Sequence, residues 1–419
     1  MNPIAIRLLN QQLAAPQYSD PAEVVSYMGA MQAQEYRMMR WAVAMRTRPL
    51  STMALTYGRT CSPSAELEQA PLRSRSIAAF KRAFDSGRII RLHLMRGTWQ
   101  LVSAEDYWMM IGLCAPKAIA VTKGWMSSNK ITIPDKELMH IRDILAQKAA
   151  DLGSATKEDF VHALAEKNIK MDDHRLSYHI RMAEMSGTLC SGDLLPLKSA
   201  CKPDQCGACS DAAERKQLRT SLKATYALTA NKVKPMAQMD RDEALLHFTR
   251  KYFRSRQPAT LEDFVWWSGL NISDCRKGIA LMGDTIHVEK WKGRELHSAS
   301  PLTLGHRQAN LQGSRSFTEF YLTDECRTRG FRKGKFLLIP PYDEYLISYK
   351  SRDIVLPPEH RHHAHNNSGI FQPVIAYDGT ICGNWSPYRD DCQATFFTSS
   401  FSQQDISEAW QAYKDYRDK

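Results

Sequence analysis

The chain has 419 residues, 43% hydrophobic and 24% charged, which is enough to bury a sizeable core and excludes a disordered tail. Its net charge of +11, from 56 Lys+Arg against 45 Asp+Glu, favours a polyanionic partner over a small neutral substrate. No stretch approaches the roughly 20 apolar residues of a membrane span and no signal pattern opens the chain, so a cytoplasmic protein with mostly reduced cysteines is expected.

In chain order, Asp20-Pro21-Ala22-Glu23 supplies an N-cap, a Pro at the first helical position and an acid at the third. A helix is therefore predicted there, with Val24, Val25, Met28 and Met31 on its apolar face. An amphipathic stretch, Ile77 to Phe84, leads into two predicted strands, Ile89 to Leu94 and Trp99 to Val102, around the turn residues Arg96-Gly97-Thr98. Two later stretches are near-identical: Ala155-Thr156-Lys157-Glu158-Asp159-Phe160-Val161 and Ala259-Thr260-Leu261-Glu262-Asp263-Phe264-Val265. In each, a Thr followed three residues later by an acid predicts a capped helix start. After the first copy come a break at Asp172-Asp173, a helix from His174 to Glu184 and an extended stretch from Gly187 to Cys190. After the second come Trp266-Trp267, a cap at Ser273, basic Arg276 and Lys277, and alternation from Thr285 to Trp291. The shared order is that of a duplicated helix-turn-helix with a β-wing, and the N-terminal elements suggest a third unit. From about residue 300 the chain reads as β-rich, a small barrel being one form. Phe336 to Ile339 is a strand ending at Pro340-Pro341, Leu346 to Tyr349 is apolar, and Asp378-Gly379 signals a tight hairpin turn. A helical run from Gln403 to Tyr416 ends the sequence. The expected fold class is α+β, tandem winged-helix units followed by a β-rich, barrel-like region. The divisions are 1–130, 131–240 with a Cys-containing insertion, 241–300 and 301–419.

The positive charge is clustered. Between Leu72 and Arg96 stand Arg73, Arg75, Lys81, Arg82, Arg88, Arg91 and Arg96 with one acid, Asp85, and the run Arg327, Arg329, Arg332, Lys333, Lys335 has none. Such runs attract a duplex by counterion release, or are simply solvated faces. Four His (His360, His362, His363, His365) share one loop, where they would bind metal, probe a groove or be only solvated. Cys201, Cys206 and Cys209 lie in an insertion between Cys190 and Thr225. Cys190 would complete a weak tetrahedral zinc set with them, the alternative being a basic wing with free thiols. No phosphate-binding Gly-rich loop or dinucleotide fingerprint is present, so no cofactor is expected.

Five motifs in order carry a resemblance: Gln32-Ala33-Gln34, Arg96 to Val102, Thr260 to Leu270, Leu338 to Leu346, and Asp378-Gly379 to Trp385. Together they resemble the bacterial winged-helix family that includes the interstrand-crosslink and alkylpurine DNA glycosylases. The resemblance implies tandem winged helices and a β-barrel around a concave DNA channel. It implies a monofunctional glycosylase hydrolysing the N-glycosidic bond of N7-alkylated purines, bulky adducts and crosslinks included, in damaged double-stranded DNA. A non-catalytic DNA-binding or regulatory protein is the competing class. Regulators usually dimerise, and no dimerisation helix is evident, which favours the enzyme; a monomer is expected.

In the family a Gln-x-Gln or Gln-x-Asp motif lies at the channel centre, and Gln32 and Gln34 fill both positions. Alkylation at N7 makes the base a good leaving group, so an uncharged amide that orients water and presents a carbonyl dipole suffices. If the segment is extended, the two amides face one side; in a regular helix they would diverge, and they would alternatively just cap a helix end. Asp343, in Tyr342-Asp343-Glu344-Tyr345, is a second candidate, either facing a cationic sugar or holding a turn. Expected DNA contacts are Arg73, Arg75, Arg175, His179, Arg181, Arg276, Lys277, Arg352 and His363. Trp266-Trp267 reads as a stacking platform or as core.

Overall fold

The computed structural model describes residues 2–49, 76–196, 222–237, 239–292, 317–389 and 391–418. Both duplicated Thr residues cap the helices they precede. Asp159 donates its backbone N–H to Thr156 Oγ1 at 3.2 Å, and Asp263 does the same to Thr260 Oγ1 at 3.1 Å. Reciprocally, each Thr N–H donates to the Asp carboxylate, at 2.8 and 3.0 Å, so two of the orphan donors of each helix start are satisfied.

These caps belong to a layout that occurs three times. In the second copy, helix Asp135–Leu152 precedes the short strand Ala155–Thr156, then come helices Lys157–Ala165 and Asp173–Met185 and the strands Leu189–Ser191 and Thr225–Leu228. The sheet order places the last strand between the other two. In the third copy, helix Arg241–Arg256 leads to Ala259, helices Leu261–Ser268 and Ile272–Leu281, and the strands Ile286–Lys292 and Phe317–Thr323. Ala259 bridges the last of these at Tyr321. The first copy runs from helix Pro21–Met28 through strand Ala30–Gln32 and helices Met39–Ala44 and Ile77–Asp85 to strands Ile89–His93 and Trp99–Ser103, again with the last strand central. The predicted Asp20 cap is present, its Oδ1 accepting from Ala22 N–H at 2.9 Å. The predicted cap at Ser273 is not; Asn271 holds that position and the helix starts at Ile272. Met31, expected on the first helix, lies on the strand beyond it because Gly29, at φ 75°, ends the helix.

One difference among the copies positions the site. In the second and third, the Thr after the strand enters the next helix at once, at Lys157 and Leu261; in the first, the helix begins only at Met39. The intervening backbone, Ala33 to Met38, carries Gln34 out of the sheet without committing it to a helix.

The C-terminal strands Phe336–Ile339, Val374–Tyr377, Thr380–Trp385 and Ala394–Phe396 form an antiparallel meander. Among the described residues this is an open four-stranded sheet, so the barrel is not closed. The apolar stretch after Pro341 forms a short helix, Glu344–Ile347, because Asp343 caps it.

Hydrophobic clusters cross the expected divisions. Ile4, Leu8 and Trp41 pack with Leu338, Ile375, Ile381, Trp385 and Tyr413, so the N-terminal helix Pro3–Asn10 closes one side of the C-terminal sheet. Leu92 and Met110, from the first region, share a core with Phe248, Tyr252, Phe264 and Trp267. Only Ile141 to Tyr226 supplies a cluster of its own. The insertion after Pro196, with Cys201, Cys206 and Cys209, lies outside the described residues.

The hairpin predicted at Asp378-Gly379 turns with φ 48° and 89°. A Cβ on Gly379 would stand 2.4 Å from Ile4 Cγ2 and 2.7 Å from Tyr345 Oη. Gly379→Ala should therefore destabilise the fold by about 1–3 kcal/mol, read as a lower denaturant midpoint with unchanged slope.

Candidate active site

The strand Ala30–Gln32 is held from three directions. Its neighbour in the sheet pairs Gln32 with Gln100, and Ala33 N–H donates to the Trp99 carbonyl at 2.9 Å, extending the ladder by one residue. From a second side, Arg256 donates from Nη1 to the Met28 carbonyl and from Nη2 to the Ala30 carbonyl, each at 2.6 Å, bracing the link across Gly29. From a third, the Gln32 backbone N–H donates to Glu344 Oε1 at 2.7 Å.

Glu344 is the hub of this arrangement. Its Oε2 accepts from Arg256 Nη2 at 2.7 Å, Arg256 Nε at 3.2 Å and Trp267 Nε1 at 3.0 Å, and from the Ser348 hydroxyl. Both members of the ion pair are sealed from solvent, and the Arg256 guanidinium lies 4.4 Å from the Trp267 ring centroid. Burial pushes the Glu344 carboxyl up, but the Arg256 charge and the converging donors prevail and hold it below its ordinary value.

Gln32 and Gln34 differ in what they bind. The Gln32 amide is satisfied in one orientation: NH2 toward the Trp99 carbonyl at 2.7 Å, oxygen toward Arg96 Nη2 at 3.1 Å. Gln34 is half-buried, and its Oε1, though shielded, has no hydrogen-bond partner. The Ala33 bond is the last of the ladder: Gln34 and Glu35 bend away from the strand, and Tyr36 to Met38 form a turn before the helix at Met39. Of the alternatives, the regular helix is excluded and the segment is turn-like. Gln100, fully buried beneath this pair with its own Oε1 unpartnered, was missed as a site residue; its register opposite Gln32 was the available signal.

Asp343 is not an open carboxylate. Arg46 grips it through Nη1 to Oδ2 at 2.9 Å and Nη2 to Oδ1 at 2.7 Å, both side chains are buried, and Oδ1 also caps Tyr345 N–H at 2.9 Å. The turn-holding alternative is what the geometry supports, and the carboxylate that touches the motif is its neighbour Glu344. Only adjacency to Asp343 in the same motif signalled Glu344 in the sequence.

The expected DNA contacts divide. Arg175 is committed to Glu137 through Nε at 2.9 Å and Nη2 at 2.6 Å, and buried His179 meets the same carboxylate at 3.1 Å. Burial lowers the His179 pKa, so this imidazole is a packing group within its own unit. Arg181 is half-buried, 5.7 Å from the Tyr178 ring centroid. Arg276 is exposed, and Lys277, also exposed, pairs with Asp242 at 2.6 Å. Arg352 is half-buried beside Trp266 and Phe371. His363 stacks on Phe397 at 4.9 Å and on His362 at 3.8 Å, which makes the His loop a ring-packed surface. Arg73 and Arg75 lie outside the described residues. Cys190 is buried, its thiol pushed up to about 12 by burial, which disfavours the thiolate a zinc ligand needs. No group of three or more His, Cys, Asp or Glu is placed to hold a metal among the described residues. No helix among them is long and apolar enough to cross a membrane.

Two consequences are measurable. Arg46→Ala strands the buried Asp343 charge and should cost about 3–5 kcal/mol of unfolding free energy, with Arg46→Ala/Asp343→Asn recovering much of it. For Glu344, a folded pKa below the ordinary 4.5 contributes stability that is fully present above pH 4.5 and is lost as pH falls through the folded value. Acid titration of unfolding free energy should show this slope in the native protein and its reduction in Glu344→Gln.

The comparisons with known proteins agree with this architecture. The family model described as DNA glycosylase AlkZ-like matches residues 71–405. An interstrand DNA cross-link repair glycosylase of Streptomyces sahachiroi is 27% identical over 157 residues, spanning 37% of this chain and 38% of that relative. The matched segment is thus under half of the curated relative's length. The solved structure of the Streptomyces sahachiroi DNA glycosylase AlkZ aligns with a TM-score of 0.64 over 99% of this chain and 96% of its own, at 17% identity, a likeness of fold. With the family model covering most of its length, the chain belongs to the AlkZ-like DNA glycosylase family.

Proposed function

We propose that this protein is a monofunctional DNA glycosylase that hydrolyses the N-glycosidic bond of N7-alkylated purines, bulky adducts and crosslinks included, in duplex DNA. Three helix–strand–helix–helix–hairpin copies are read as winged-helix units forming the walls of the DNA channel. The observation that carries the reading is the contrast within the Gln pair: Gln32 is locked by Trp99 and Arg96, whereas Gln34 holds an unpartnered acceptor on the same stretch. A shielded carbonyl oxygen without a donor is costly unless something supplies one, and a water poised for attack does so.

In this scheme Gln34 Oε1 accepts a hydrogen bond from the nucleophilic water and turns the negative end of its dipole toward the positive charge developing on the sugar. The cationic alkylated base leaves without a strong acid, which matches a site where Glu344, the carboxylate on the Gln32 backbone, and its neighbour Asp343 are both consumed in ion pairs. Water's second proton passes to solvent, and an abasic site and free base are the products. Gln32 positions the backbone that presents Gln34, and Asp343 and Glu344 are positioning residues. The protein acts as a monomer in this scheme.

Incubation with a duplex carrying N7-methylguanine and quantification of released base tests the proposal. Gln34→Ala should lower the single-turnover release rate about 100-fold while leaving affinity for the duplex within about twofold. Gln34→Asp should retain release with an acid limb set by the new carboxylate. Binding of undamaged and alkylated DNA alike without base release by the native protein would instead assign it to the non-catalytic class.

A further inference from the structure

Trp266 and Trp267 are adjacent but have opposite fates. Trp267 is completely buried against Glu344 and Arg256, whereas Trp266 is 40% exposed. An exposed indole is usually mobile, but this one is fixed, its Nε1 donating to the Ile347 carbonyl at 3.0 Å. Two guanidiniums stand by its ring, Arg96 at 5.8 Å and Arg352 at 5.5 Å from the centroid.

Neither guanidinium has an ion-pair partner within the 4.0 Å of a salt bridge among the described contacts, and each keeps a shielded donor unused, Nε of Arg96 and Nη2 of Arg352. Their remaining donors go to neutral oxygens. Arg96 Nη1 donates to the Trp266 carbonyl at 3.2 Å, and Arg352 donates to the Leu346 and Lys350 carbonyls at 3.0 and 3.3 Å. Burial lowers both pKa values, that of Arg352 to about 10, and outweighs the opposing charge of Glu344 on Arg96 and of Asp263 on Arg352. The backbone makes a further concession. Arg96 adopts a left-handed conformation at φ 57°, and Gly269, itself at φ 68°, leaves the space its side chain crosses: a Cβ there would come 3.0 Å from Arg96 Cγ. Two desolvated cations with unspent donors and no direct ion pair beside a fixed aromatic face are unfavourable in isolation, and an anion carrying a flat ring satisfies both.

We propose that Trp266, Arg96 and Arg352 form a nucleotide subsite, in which the indole stacks on one base and the two guanidiniums hold the phosphodiester attached to it. The subsite is continuous with the Gln motif, because Arg96 Nη2 also reaches the Gln32 amide oxygen at 3.1 Å. The phosphate position therefore adjoins the end of the strand that precedes Gln34. This inference deepens the glycosylase reading and rests on it for the identity of the nucleic acid.

The test uses the full-length protein and a fluorescein-labelled duplex with a central tetrahydrofuran abasic analogue, which cannot be turned over, so binding is measured apart from base release. Single phosphates on either side of the analogue are replaced one at a time by uncharged methylphosphonate. The native protein should lose about tenfold in affinity at one particular position, and Arg352→Ala, which leaves Arg96, should start weaker and lose only about threefold on that same replacement. Trp266→Ala should weaken binding about tenfold, with Trp266→Phe recovering most of it, as stacking on any aromatic face requires. Arg352→Lys, which keeps the charge and the fold, serves where the alanine variant unfolds, and should show a reduced but still position-specific response. Equal sensitivity of native and Arg352 variants at every phosphate, or unchanged binding by Trp266→Ala, overturns the proposal. Loss of base release with this binding pattern intact would count against the glycosylase reading alone.

Discussion

The ion pair between Arg256 and Glu344 is the constraint on which the site depends. Arg256 ends the long helix of the third unit, Glu344 opens a short helix between the first two strands of the C-terminal sheet, and the chain they grip belongs to the first unit. Three distant regions of sequence thus meet at one backbone segment. Burying two full charges is expensive, and apolar replacements of similar volume are frequently as stable. What a hydrophobic pair would not do is donate to the carbonyls of Met28 and Ala30 while accepting from the Gln32 N–H. The pair sets the position of a strand end to within hydrogen-bonding tolerance, which is what a group aimed at a reacting sugar requires.

The threefold repetition explains where that segment came to lie. In two copies the chain passes directly from the strand or bridge into a capped helix. In the first copy the junction is opened between Gln32 and Met39, where the chain leaves the ladder after Ala33, bends at Gln34 and turns before the helix. The N-terminal helix then packs on the C-terminal sheet through Ile4 and Leu8, so the part that carries the Gln pair and the part that carries Glu344 form a common core.

Local signals were legible in the sequence and long-range ones were not. The caps at Asp20, Thr156 and Thr260 and the turn at Asp378-Gly379 could be read because each depends on residues within a few positions of one another. The helices Tyr107–Ser128, Asp135–Leu152 and Arg241–Arg256 went unnoticed. The first is apolar around much of its circumference and contains Pro116, which obscures both its period and its continuity. Gln32 and Gln34 came from family resemblance, and their division into a bound amide and a free one depends on Trp99 and Arg96, which no spacing rule connects to them. The carboxylate of Asp343 was chosen over that of Glu344 for the same reason: partners such as Arg46, nearly three hundred positions away, are set by tertiary structure alone. Arg175 and His179 make the same point, since the charge of their helix face is partly neutralised by Glu137 of the preceding helix, a pairing that local sequence does not reveal.

If Glu344 acts on catalysis by fixing the segment that presents Gln34, the two residues should be coupled. A double-mutant cycle of Glu344→Gln and Gln34→Ala, read as single-turnover release of N7-methylguanine from duplex by protein shown to be folded, measures that coupling directly. The account predicts that each substitution alone slows release and that the second adds little once the first is present. Fully additive losses, or unchanged release by Glu344→Gln, would contradict it.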